Sequence, residues 1–136
     1  MSDADRAGVL ALLEQNGLPT VGVEDNISGF LVARSNAAVV GSAAIESYGA
    51  SGLLRSVAVA PAQRRAGIGT SLVLQALAKA AREGVGTFYL LTTSAAPFFE
   101  RFGFVTCPRE EAPPAIRESW EFRTGCPTSA ILMRCP

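Results

Sequence analysis

The run Val57-Ala58-Val59-Ala60-Pro61-Ala62-Gln63-Arg64-Arg65-Ala66-Gly67-Ile68-Gly69-Thr70 joins an apolar strand to an amphipathic helix through a basic, glycine-containing turn. Gly67 and Gly69 remove side chains where a ligand approaches the backbone, and the first-turn amides of the following helix have no intrahelical carbonyl to bond. The helix dipole adds roughly half a positive charge at the same end, and Arg64 and Arg65 add mobile charge around it. A turn of this build cradles a diphosphate. Residue types exclude two common forms of it. A dinucleotide fingerprint needs a third glycine where the chain has Leu72, and a Walker loop needs a Gly-Lys-Ser/Thr that the chain lacks.

With 136 residues the chain is expected to be one domain, residues 1–136, burying about two-thirds of its unfolded surface around one core. Its 12 basic and 12 acidic side chains cancel, so no broad field favours nucleic acid or an anionic membrane, and the expected partners are small molecules. No apolar run approaches the ~20 residues of a membrane span. The opening Met1-Ser2-Asp3-Ala4-Asp5 is acidic where a secretory signal is basic, which points to a cytoplasmic protein, monomer or homodimer. The chain has no histidine, which removes Ser-His-Asp and Cys-His catalysis. Three cysteines, Cys107, Cys126 and Cys135, cannot all pair within one chain; they are expected as thiols, with no metal.

Helical spacing of Val9, Leu10, Leu12 and Leu13 predicts a helix over residues 5–15, ended by Asn16-Gly17-Leu18-Pro19. Residues 20–28 are polar and turn-rich, with a short helical piece bordering the site. β-rich runs at 30–34 and 39–46 flank Ser35-Asn36-Ala37 and read as a hairpin. A further strand covers 53–60. Ile68, Leu72, Val73, Leu77 and Ala80 form one stripe of a helix over 67–83 that packs on a sheet. Residues 87–92 form the next strand, parallel to 53–60 through a right-handed crossover. A short helix over 95–102 stops at Gly103, and residues 104–106 return to the sheet. After Pro113-Pro114 a second helix is predicted over 115–123, ended by Cys126-Pro127, and 130–134 closes the sheet.

Arg64-Arg65-Ala66-Gly67-Ile68-Gly69 resembles the Q/R-x-x-G-x-G/A signature of the GNAT superfamily of acetyltransferases. Leu54-Arg55-Ser56-Val57-Ala58-Val59-Ala60-Pro61 before it and Phe98-Phe99-Glu100-Arg101-Phe102-Gly103-Phe104 after it strengthen the resemblance, which runs from about Asp3 to Arg134. Tyr89-Leu90-Leu91-Thr92-Thr93, Ala112-Pro113-Pro114-Ala115-Ile116-Arg117 and Cys126-Pro127-Thr128-Ser129-Ala130 look like its arsenic-resistance N-acetyltransferase branch. One departure is the β-strand with which such proteins usually begin, which this chain lacks or has cut to a few residues.

The resemblance implies an α/β (α+β) fold with a central mixed, splayed sheet flanked by helices. It implies acetyl transfer from acetyl coenzyme A to an amine by direct attack in a ternary complex. The acceptor is a small, amino-acid-like amine that carries an arsenic or phosphorus oxyanion in one version of the reading. Val57, Ala58 and Val59 would line the pantetheine slot, with Val57 and Val59 pairing to its amides. The amides of Arg64, Arg65, Ala66, Gly67, Ile68, Gly69 and Thr70 would hold the pyrophosphate. Phe98, Phe99 and Arg101 would flank the thioester end or the adenine side.

Amine attack on a thioester needs a neutral amine, a polarised carbonyl and a protonated leaving thiolate. The Val57 amide is the expected oxyanion donor. Family members often place a proton-donating Tyr where this chain has Phe99, and some place a Glu base where it has Leu53; neither residue present can serve. Glu46 and Tyr48 end the preceding strand, and period-two alternation puts Arg55 on the face of Leu53 and Val57. Two readings of Arg55 stand: a cation for the acceptor's anion, with Glu46 its partner in the free enzyme, or a plain Glu46–Arg55 cross-strand salt bridge. Trp120 and Arg117 either close the pocket or pack. Ser94, with Thr93 beside it, is a hydroxyl that could replace the missing acid, and solvent is the other proton source.

Two other classes fit parts of the chain. Leu53 and Phe99 in place of base and acid suit a non-catalytic acyl-CoA binding or sensing domain. Three thiols suit trivalent arsenic, although Cys126 and Cys135 flank a strand that holds them far apart.

Overall fold

The structure is a computed structural model and describes residues 1–64, 67–125 and 129–136. Six strands form one mixed sheet in the order β1-β2-β3-β4-β6-β5. The strands are β1 (Phe30–Ser35), β2 (Ala38–Tyr48), β3 (Ser51–Val59), β4 (Thr87–Thr92), β5 (Val105–Cys107) and β6 (Ile131–Cys135). The helices are α1 (Arg6–Gln15), α2 (Ile68–Arg82), α3 (Ala96–Glu100) and α4 (Pro114–Arg117), with 3-10 turns at Asp3–Asp5, Glu24–Gly29, Pro61–Gln63 and Arg109–Glu111. Fold class and element order match the sequence expectation. The edge strands are β1 and β5; the Met1 amine donates to the Phe30 carbonyl of β1 at 3.3 Å.

Three apolar clusters follow from the strand alternation. Ile45 and Leu54 face α2, where they pack with Leu72, Val73, Ala76, Phe88, Phe99 and Phe104. On the opposite face Ala44 and Ala58 meet Val9, Leu12 and Leu13 of α1, and Leu53 and Tyr89 meet Ile116 of α4. Asp5 anchors the start of α1: its carboxylate accepts from Ser2 and forms a close ion pair with Arg34 of β1. Arg34 holds that carboxyl well below the usual range.

Two local features differ from the sequence reading. Helix 115–123 is broken: α4 ends at Arg117, and a π-helical turn, Glu121–Gly125, follows. Ser119 sits between them, buried, with its hydroxyl donating to the Ile116 carbonyl at 2.6 Å and accepting from the Phe122 amide at 3.3 Å. A serine that bonds the local backbone competes with helix continuation. The proposed stop at Cys126-Pro127 lies outside the described residues.

The second difference is a bulge in β3. Ser42 pairs with Ala58 but Ala44 pairs with Arg55, so two β3 residues, Ser56 and Val57, stand opposite Ala43. Ser56 has φ +57°, and its carbonyl accepts the buried Ser42 hydroxyl at 2.7 Å. An extra residue reverses the alternation. Leu53 and Arg55 therefore share one face, as expected, while Val57 packs with the α2 cluster on the other. The prediction that Arg55 and Val57 share a face is corrected by the bulge.

Candidate active site

β3 and β4 run parallel and pair through Ser51–Thr87, Gly52–Phe88 and Leu53–Tyr89, then part. The gap is the floor of a cleft of about 940 Å³, within the usual size of ligand sites. Its walls carry Arg55 to Val59 on one side and Leu90 to Ala95 on the other; Gly67 to Thr70 stand at one end and Glu121 with Arg55 at the other.

At the glycine end, Gly67 caps α2 with φ +79°, a conformation that costs a residue with a Cβ about 1–2 kcal/mol. The Ser71 amide makes the first helical bond, to the Gly67 carbonyl at 3.0 Å, so the amides of Ile68, Gly69 and Thr70 precede the ladder. A Cβ on Gly69 would stand 3.4 Å from Val59 Cγ2 and 3.6 Å from the Phe98 ring; hydrogen there keeps the passage between helix and strand wide. Arg64 is less mobile than its position in a turn suggests: Nη2 donates to Asn16 Oδ1 at 2.6 Å and Nε to the Val59 carbonyl at 3.3 Å. Arg65 and Ala66 lie outside the described residues. These features fit a pyrophosphate with an amide-bearing arm running into the slot.

Phe98, Phe99 and Arg101 all line the cleft. Phe99 is buried, edge-on to Phe98 at 5.1 Å and to Phe104 at 6.2 Å. Arg101 stands over the Phe98 ring at 5.6 Å. Thr93 and Ser94 are exposed on the cleft wall after β4. Thr92 Oγ1 accepts the Ala95 amide at 3.0 Å and turns the chain into α3.

The other end is a buried ionic cluster. The Arg55 side chain is 3% exposed, and its Nη1 donates to Glu46 Oε2 at 3.0 Å while Nη2 donates to the Val21 carbonyl at 2.9 Å. Its Nε lies 3.7 Å from Glu121 Oε1. Tyr48 donates to Glu46 Oε1 at 2.9 Å, and burial together with that bond pushes the phenol up to about 12. Burial pushes the Glu121 carboxyl up to about 7, against the pull of Arg55 and with a smaller push from Glu46. Among the described residues, Glu121 Oε2 is buried without a hydrogen-bond partner.

Of the acceptor-side residues expected from sequence, Arg55 reaches the cleft and Glu46 and Tyr48 stand behind it. The Glu46–Arg55 ion pair is formed. Trp120 is 37% exposed, 6.0 Å from the Arg55 guanidinium. Arg117 is exposed and does not line the cleft. Glu121 went unforeseen, because residues 115–123 read as one amphipathic helix with apolar positions 116, 120 and 122, leaving 121 on its wet side. The serine break turns it inward instead.

Among the described residues Cys107 and Cys135 are free thiols, both pushed up by burial. Cys107 stands opposite Leu132 and Cys135 opposite Phe88, so the two do not face each other across a pair of strands. Cys126 lies outside the described residues. No helix among the described residues is long and apolar enough to cross a membrane.

Known proteins resemble the chain in sequence and in fold. The chain is 36% identical over 104 residues to an uncharacterized N-acetyltransferase of Chlorobaculum tepidum, covering 76% of this chain and 64% of that protein. It is 27% identical over 114 residues to the amino-acid acetyltransferase of Neisseria meningitidis, covering 82% of this chain but 26% of that one. Thus it spans just under two-thirds of the first relative and about a quarter of the second. N-acetylglutamate synthase from Neisseria gonorrhoeae, solved with coenzyme A and N-acetyl-glutamate, has TM-score 0.83 at 23% identity, covering 99% of this chain and 33% of that one. The ribosomal-protein-S18-alanine N-acetyltransferase of Escherichia coli has TM-score 0.74 at 18% identity, covering 100% and 90%. Identities this low speak for the fold alone. Residues 26–106, more than half of the chain and including the glycine turn and the β3–β4 slot, match the acetyltransferase (GNAT) domain family, and to that family the chain belongs.

Proposed function

We propose that the chain moves the acetyl group of acetyl coenzyme A to the amine of a small, amino-acid-like acceptor, by direct attack in a ternary complex. The observation that carries this is the continuity of one cleft, from the free amides of α2 to the buried Arg55–Glu121 cluster. The thioester supplies an activated acetyl group; the chain's residues bind and orient. Ile68, Gly69 and Thr70 amides hold the pyrophosphate, with Arg64 beside it. The backbone of Val57, Ala58 and Val59 holds the arm, and the Val57 amide polarises the carbonyl. Phe98 and Phe99 exclude water from the reacting end.

Amino-acid acceptors are favoured by the similarity to the Neisseria amino-acid acetyltransferase and N-acetylglutamate synthase. An acceptor with an arsenic or phosphorus oxyanion is the narrower version, supported by the sequence resemblance alone. An acceptor anion at Arg55 competes with Glu46, which holds Nη1 at 3.0 Å. A second reading, a binding domain without catalysis, is favoured by Leu53 and Phe99, which are buried in apolar clusters where family members keep a base and an acid.

Thiol release from acetyl coenzyme A, measured across amino acids, their arsenic and phosphorus analogues and simple amines, tests the proposal. Turnover with amino acids well above that with simple amines is the expected result. Cofactor binding with no turnover on any amine overturns it in favour of the binding domain.

A further inference from the structure

We infer that Glu121 is the general base of the transfer step, delivered from the π-helical turn after α4 and not from the sheet; the inference rests on the acetyltransferase reading and deepens it. Among the described residues three buried side-chain polar atoms lack a hydrogen-bond partner: Arg6 Nε, Ser56 Oγ and Glu121 Oε2. Arg6 belongs to the surface near the start of α1, where it pairs with Asp3 and Glu24. The other two both belong to residues that line the cleft. Leaving a buried acceptor unpaired costs about 1–3 kcal/mol, and more when it is charged. Such a group is kept where an incoming donor satisfies it, and an acceptor ammonium brings three N–H bonds.

The surroundings select the sign of that guest. Arg55 of β3 lies between Glu46 and Glu121, at 3.0 Å and 3.7 Å, so the cluster carries a net negative charge when both carboxylates are ionised. Tyr48 of β2 donates to Glu46 and stays neutral. The groups facing Glu121 are thus Arg55, which favours its ionised form, and Glu46 and Tyr48. Burial outweighs Arg55 and carries Glu121 up to about 7, where a base is half ionised at neutral pH and still accepts a proton well. Leu53, on the same face as Arg55, cannot do this work; a carboxylate from the opposite element reaches the same cluster.

In the step, one proton passes from the acceptor's ammonium to Glu121 Oε2. The freed lone pair forms the C–N bond to the acetyl carbon, and the C–S bond breaks with its pair moving to sulfur. The second amine proton reaches the thiolate through water, and Glu121 returns its proton to solvent. Arg55 acts as a positioning residue throughout.

The test compares wild type, Glu121→Gln and Glu121→Asp in the full chain, with the best amine of the acceptor panel. Readouts are the pH profile of kcat/KM from pH 5.5 to 9 and calorimetric affinity for acetyl coenzyme A. Wild type should show an acid limb with apparent pKa near 7. Glu121→Gln should lose about 100-fold or more together with that limb, while its cofactor affinity stays within about twofold and its pH profile follows the amine alone. Glu121→Asp should keep the limb with at least about tenfold lower rate. Rates within about fivefold of wild type in either variant, or an equal loss at every pH with the limb kept in Glu121→Gln, overturn the inference while leaving the acetyltransferase reading intact. Silence of wild type on every amine removes both.

Discussion

Ser42 Oγ donates a 2.7 Å hydrogen bond to the Ser56 carbonyl, and this bond fastens the β3 bulge to β2. Ser56 holds φ +57°, an arrangement that costs a non-glycine residue about 1–3 kcal/mol and persists only when its neighbours hold it. Val57 comes next, already on the cleft side. Ser42→Ala should lower stability in urea by about 1–3 kcal/mol, the cost of an unpaired buried carbonyl. It should also lower turnover beyond the unfolded fraction. Undiminished turnover in the folded variant would detach the bulge from catalysis.

Glu121 titrates near 4.5 when unfolded and about 7 when folded. Over that window the folded state keeps a proton that the unfolded state has lost, so its contribution to stability falls as pH rises from about 4.5 to 7 and stays lost above. Glu121→Gln removes the dependence. Relative to wild type the variant should gain up to about 3 kcal/mol in urea denaturation between pH 4 and pH 8, at 1.36 kcal/mol per pH unit. A constant difference between the two proteins across that range refutes the raised carboxyl.

Arg55→Lys keeps the charge but loses the fork that reaches Glu46, the Val21 carbonyl and Glu121 together. Since Arg55 favours the ionised form of Glu121, the acid limb of kcat/KM should move to higher pH. Affinity for acetyl coenzyme A, measured by calorimetry, should not change. An unmoved limb would mean that burial alone sets the titration.

Gly69→Val puts two methyl groups between α2, Val59 and Phe98. The fold should survive by circular dichroism, while acetyl coenzyme A affinity drops at least about tenfold, or ~1.4 kcal/mol. Calorimetry that gives wild-type affinity would move the phosphate site elsewhere.

Phe99→Tyr supplies a phenol where this chain has none. If water carries the proton to sulfur, turnover should change by less than about tenfold, under ~1.4 kcal/mol of barrier. Thiol release measured side by side decides it. A large gain would show that the missing acid limits the wild type.

The glycine turn and the βαβ unit around it were legible because their signals are local: two glycines, a run of strand formers and a helical stripe. The hairpin at Asn36-Ala37 was legible for the same reason, and both residues hold positive φ. What escaped depends on one residue's hydrogen bonds. Ser119 ends α4 by bonding to Ile116, and Ser42 stabilises a bulge that turns Val57 away from Arg55. Neither serine differs in type from a surface serine, so periodicity alone carries Glu121 outward and Val57 to the wrong face.

Three residue pairs hold β3 to β4, and the sheet is accordingly two three-stranded plates joined at one end. The joint is tight: a Cβ on Gly52 would stand 3.0 Å from both Ile45 and Val85. A ligand with amides along its arm becomes the missing rungs between the plates, so binding resembles zipping a seam. Amide exchange on both lips should then slow together, and a wedge at Gly52 should loosen a ligand that it never touches.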